Sequence, residues 1–141
     1  MDNEQLLNSI YQNIQMVLET IPEIRNITTD CDLKTILAAQ EQSYQNQITV
    51  THQRIKAEGY QIQKLNDLLK NYSEWMTKLK AIADKSTSHL AEMCIQGYTM
   101  GMIQAIQKLH QYCDAAKDTL LLAEQLSDQH QKSINSLKKY L

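Results

Sequence analysis

Residues 85–112, KSTSHLAEMCIQGYTMGMIQAIQKLHQY, have helical spacing with apolar side chains on nearly every side. Leu90, Ala91, Met93, Cys94, Ile95, Tyr98, Met100, Met102, Ile103, Ala105, Ile106 and Leu109 surround most of the circumference. Such a helix belongs at the centre of a fold or at an interface between subunits. The rest of the chain must therefore supply helices to cover it. Gly97 and Gly101 share one face, and each costs about 1 kcal/mol against Ala in a helix. The pair implies a close approach by a neighbouring helix or side chain.

The covering helices are visible as single apolar stripes. Over residues 3–26, Leu7, Ile10, Ile14, Val17, Ile21 and Ile24 repeat at alternating spacings of three and four, a heptad seam. Pro22 lies inside it and crowds the carbonyl of Leu18, which predicts a kink or an early end near Ile21. Thr28, Thr29 or Asp30 can cap a second helix over about 30–58. Its seam is weaker: Leu33, Leu37, Gln40, Tyr44, Ile48, Thr51 and Ile55. Gln40 and Tyr44 are expected at the rim with wet tips; the alternative is an internal polar network. Gly59 ends this helix.

A shorter amphipathic helix is predicted over about 62–83, with Leu65, Leu68, Tyr72, Trp75, Leu79 and Ile82 in register and a break at 71–73. Residues 83–88 supply a turn and several possible N-caps for the next helix, and Ser86 with His89 has the spacing of a capping box but not the acid. The last helix is predicted from an Asp114 N-cap to about residue 140. Leu120, Ala123, Ser127, His130, Ile134, Leu137 and Leu141 form its seam.

With one Pro, three Gly and no Phe among 141 residues, the composition is that of an all-α chain, read as a single domain over 1–141. The net charge of −2 gives no reason to expect nucleic acid or an anionic membrane as partner. No apolar run is long enough for a membrane span. The opening MDNEQLLNSIYQNIQ is polar and acidic, unlike a signal peptide, so a cytoplasmic location is expected. Cys31, Cys94 and Cys113 lack metal-ligand spacing and read as reduced thiols.

Two antiparallel hairpins, about 3–58 and 86–140, joined by a crossover, make a four-helix bundle of ferritin-like connectivity. A simple up-down bundle of five helices is the rival. The Trp75–Met76 pair on the crossover, and DKSTSHLAEMCIQGYTMG over residues 84–101, resemble uncharacterised small bacterial, clostridial-type ferritin-like proteins of unknown function. The resemblance covers nearly the whole chain and implies a fold without an activity.

Ferritin-like bundles that hold two metal ions use a Glu from each of two helices and a Glu-x-x-His pair from each of the other two. No Glu-x-x-His occurs here; residues 89–92 have the reverse order, His89 then Glu92. Candidates for a degenerate iron, manganese or zinc site are His89, Glu92 and His130, with Glu19 or Glu41. Against this, His89 and Glu92 read as a capped, solvated first turn, and His130 as a hydrogen-bonded core histidine. Cys94 sits in apolar surroundings that raise its pKa and blunt it as a nucleophile. Met93, Met100 and Met102 fill core or line an adaptable groove. No phosphate-binding loop, GxSxG or CxxC motif occurs.

These readings favour a non-enzymatic bundle that needs no cofactor and acts through self-association or a helical protein partner. The alternatives are a metal-binding or oxidoreductase bundle, and a bundle that binds an apolar ligand between its helices beside Tyr98 and Met100.

Overall fold

The computed structural model describes residues 1–63 and 70–141, with side chains from residue 72 onward in the second span. Five α-helices are present among them: α1 (Asp2–Ile27), α2 (Cys31–Ala57), α3 (Lys70–Lys80), α4 (Thr87–Gln111) and α5 (Lys117–Leu137). A 3-10 turn, Lys138–Tyr140, follows α5.

Local chemistry sets most of the ends. Asp30 caps α2 by accepting from the Leu33 N–H at 2.9 Å, and Ser86 caps α4 by accepting from the His89 N–H. Gly59, at φ +76°, turns the chain out of α2 in a conformation that side chains resist. Pro22 does not end α1, which continues to Ile27. The missing N–H deprives only the Leu18 carbonyl, while Ile21 and Ile24, both buried, hold the final turns against the core. Asp114 is not the N-cap of the last helix. Residues 112–115 form a turn, and α5 starts after Ala116, which has no side-chain cap.

Interactions at the termini fix the topology. Asp2 accepts from the Asp114 N–H and Asn3 from the Ala116 N–H, both at 3.2 Å. Arg54, near the end of α2, pairs with Asp118 at the start of α5 at 2.5 Å. One end of the bundle thus gathers the start of α1, the end of α2 and the α4–α5 turn. The crossover must climb the full length before α4 can descend. It does so along α1: the Gln61 carbonyl and the Gln63 N–H bond to Asn8, and Tyr72 donates to Glu19. The order is up, down, crossover, down, up, and the closest packing is of α1 with α2 and of α4 with α5, which makes two hairpins with a short crossover helix beside them.

The crossover helix is shorter than the sequence suggests. Among the described residues, 61–63 and 81–83 are not helical, α3 covers Lys70–Lys80, and residues 71–73 lie inside it rather than breaking it. The predicted seam positions Leu65 and Leu68 lie outside the described residues.

The core runs the length of the bundle from Leu6, Leu7, Ile14 and Ile24 of α1 through Leu33 and Leu37 of α2 to Leu90 of α4 and Leu126 and Leu137 of α5, all within 1 % of full burial. In α5 the seam positions Ala123, His130, Ile134 and Leu137 are buried as expected, and the stripe departs from the rest of the seam at its edges. Leu126 and Ser133 are inside, Ser127 is half-buried and Leu141 is 63 % exposed. Nor is α4 apolar to no purpose on its outer side: Ile103 and Ile106 remain 50 % and 39 % exposed.

Candidate functional site

Midway along the bundle the apolar core is interrupted by a polar network drawn from all four long helices. Asn13 of α1, Gln40 and Tyr44 of α2, Tyr98 of α4, and His130 and Ser133 of α5 are each at most 7 % exposed. Gln40 and Tyr44 therefore do not sit at the rim. Their polar atoms have partners inside, so burial carries no penalty for orphaned groups.

The proton positions follow from chemistry. The Asn13 amide NH₂ donates to the Gly101 carbonyl at 2.9 Å, leaving Asn13 Oδ1 as an acceptor. His130 Nε2 lies 2.8 Å from that oxygen and so carries the proton. His130 Nδ1 is then an acceptor and receives the Tyr44 hydroxyl at 2.9 Å. The Ser133 hydroxyl lies 2.9 Å from both the Tyr44 hydroxyl and the Gln129 carbonyl. Tyr98 donates to Gln40 Oε1 at 2.6 Å, and Gln40 donates onward to the Ser133 carbonyl at 3.2 Å. The Tyr44 and Tyr98 rings stack at 5.7 Å, and His130 lies against both.

Every group in this network is neutral. Burial pushes the His130 imidazole down to about 3, and it pushes the Tyr44 and Tyr98 phenols up. A histidine with both nitrogens engaged and no exposed surface neither takes a proton from a substrate nor meets one. What the network does is physical: a one-turn slip breaks four of its interhelical hydrogen bonds if α2 or α5 moves and two if α1 or α4 moves. Among buried polar groups, setting register is the best-attested role.

Gly101 explains how α4 fits against it. A Cβ there would lie 2.8 Å from His130 Nε2 and 3.3 Å from Asn13 Oδ1. At Gly97 a Cβ would lie 2.9 Å from the Trp75 ring. The two glycines thus admit a core imidazole on one turn and the crossover indole on the next, as their shared face implied.

Beside this network, α1 and α4 diverge into a groove of about 370 Å³, with Trp75 and Tyr72 of α3 at one side. Met16, Val17 and Ile21 form one wall, and Gly97, Met100 and Gly101 the other. Tyr98 and Cys94 lie on its inner surface. The Cys94 thiol is 4 % exposed, and burial pushes it up to about 12, so it is no nucleophile.

The remaining candidates are scattered. His89 and Glu92 form an exposed pair at 3.0 Å in the first turn of α4. Glu41 pairs with Arg25, and the exposed Glu19 accepts from Tyr72 at 3.3 Å. His130 is sealed in the core. No group of three or more His, Cys, Asp or Glu that could hold a metal occurs among the described residues. His52 and His110 are exposed, as their helix positions suggested. Asn8, Asn13 and Ser133 escaped the sequence reading, although spacing marked two of them. Asn13 is three residues from Ile10 and four from Val17, and Ser133 stands in the same relation to His130 and Leu137.

No helix among the described residues is long and apolar enough to cross a membrane. No family model matches the chain, and no curated protein matches it. One solved structure is similar: YcfI from Rhodopseudomonas palustris, described as "a putative structural protein". It aligns with a TM-score of 0.58 and 18 % identity over 97 % of this chain and 92 % of its own, and the likeness is one of fold.

Proposed function

We propose that this chain is a non-enzymatic helical bundle that works through helix-mediated association, with a second copy of itself as partner. The observation that carries this reading is the outer face of α4. Ile103 and Ile106, three residues apart and hence neighbours on the helix, are 50 % and 39 % exposed. On the adjoining helix α5, Leu121 is 51 % exposed. Apolar side chains grouped on the surface favour burial against another protein.

The sealed, neutral core network supports a structural role, and the description attached to YcfI accords with it. The same reading places the chain with small ferritin-like bundles of bacterial type, by its connectivity. It assigns a cytoplasmic location and no resident iron, manganese or zinc.

Sedimentation velocity across a range of protein concentrations tests the proposal. The wild type sediments as a dimer or larger, and the Ile103→Glu, Ile106→Glu double variant sediments as a folded monomer. A wild type that stays monomeric at the highest concentration overturns it.

A further inference from the structure

We propose that the groove between α1 and α4 binds an uncharged, largely apolar molecule that carries one hydrogen-bond acceptor, and that the acceptor takes the Trp75 indole N–H. This goes beyond the association reading, with which the groove shares Ile103 at its edge.

Three observations converge on that ligand. The groove's volume, about 370 Å³, falls at the low end of the roughly 300–1,000 Å³ usual for small-molecule sites. Its walls are largely apolar and adaptable, with Met16 on α1 and Met100 on α4, and the described residues that line it include no Asp, Glu, Lys, Arg or His. An ionised ligand would enter with no countercharge, which excludes a free carboxylate or an amine as the preferred occupant. The titratable groups there, Tyr72, Tyr98 and Cys94, are held neutral because burial pushes each of them up.

The third observation is the indole itself. Trp75 is 6 % exposed, lines the groove, and its Nε1–H is buried without a hydrogen-bond partner among the described residues. Buried donors are almost always paired, so an unpartnered indole on a residue that lines the groove is a donor a ligand acceptor can take once the ring turns toward it. Gly97 is what lets the ring sit there: a Cβ at 2.9 Å from the indole would displace it. A carbonyl or ester oxygen set against Nε1, with its alkyl portion along Met16, Val17 and Met100, satisfies the donor and fills the groove.

The chain has a single Trp, so its indole N–H gives one resolved resonance in a proton–nitrogen correlation spectrum. Methyl octanoate, a neutral ester, is titrated into the full-length protein. The indole proton is expected to move downfield and saturate, as a new hydrogen bond requires. Octanoate, the same chain with a charged head, is expected to bind at least about 10-fold more weakly. In Trp75→Phe, which keeps the apolar ring and deletes the donor, calorimetric affinity for the ester falls by roughly 3- to 10-fold. The wild-type titration stands alone if that variant fails to fold. No saturable movement with the ester, equal binding of octanoate, or unchanged affinity in a folded Trp75→Phe each overturns the proposal.

Discussion

His130 has no room for a second proton. It is sealed among neutral groups, its Nε2–H donating to Asn13 and its Nδ1 accepting from Tyr44, so a charge there would lose its hydration with no countercharge to replace it. The folded imidazole accordingly titrates near 3, below the ordinary 6.5. Above 6.5 neither the folded nor the unfolded state binds this proton. As pH falls below 6.5 the unfolded chain takes it first, and stability drains until about 3, where the folded state takes it too. At about pH 5 the His130-linked loss is about 2 kcal/mol. Denaturant unfolding at neutral pH and at pH 5 measures it, and in His130→Phe that part of the pH dependence disappears although the variant is less stable throughout. Gly101 is the neighbouring constraint. Alanine there gains about 1 kcal/mol of helix propensity. Its Cβ meets an imidazole pinned by both nitrogens, which cannot swing away like the tip of a flexible chain. Gly101→Ala is therefore expected to lower stability by about 1–3 kcal/mol, read as a lower denaturant midpoint at unchanged slope.

Between α2 and α4, Asn8 makes two hydrogen bonds to the described part of the crossover. Its amide donates to the Gln61 carbonyl at 3.1 Å and accepts from the Gln63 N–H at 2.7 Å. Trp75 and Leu79, 6 % and 3 % exposed, seat the other end. Replacing Asn8 with Ala frees two backbone groups at the foot of the crossover. Limited proteolysis is expected to cut near residues 61–63 several times faster, while global stability falls by only about 1–2 kcal/mol. This tether also shows what sequence can reveal. Helices bounded by local chemistry were legible: the Asp30 and Ser86 caps, the Gly59 stop and the α1 seam each depend on residues a few positions apart. Where the deciding partner is distant, local rules misled. Pro22 looked like a terminus because the core that holds Ile24 is not local. Asp114 looked like a cap, yet its backbone N–H is bound by Asp2, 112 residues away. Tyr44 looked like a rim residue because its partners His130 and Ser133 lie 86 and 89 residues further on. The candidate metal ligands were chosen by residue type, and distance in the fold keeps His89 and Glu92 at one surface, Glu41 on Arg25 and His130 in the core.

At the scale of the whole molecule, the two hairpins lock through a neutral polar layer and leave their apolar surplus on the outer side of α4. That division bears on how copies would associate. The chain carries 14 basic and 16 acidic side chains for a net charge of −2, so long-range attraction or repulsion between copies is weak. Contact through Ile103, Ile106 and Leu121 would be driven by removing apolar surface from water, which salt does not screen. Charge-driven pairing behaves otherwise, because the Debye length shrinks from about 30 Å at 0.01 M to about 3 Å at 1 M salt. Sedimentation at those two ionic strengths separates the cases. Association through the α4 face is expected to hold or tighten at high salt and to vanish in the Ile103→Glu, Ile106→Glu variant at both. Dissociation of the wild type at high salt would assign the interface to charged side chains instead, and the apolar face of α4 would then need another explanation.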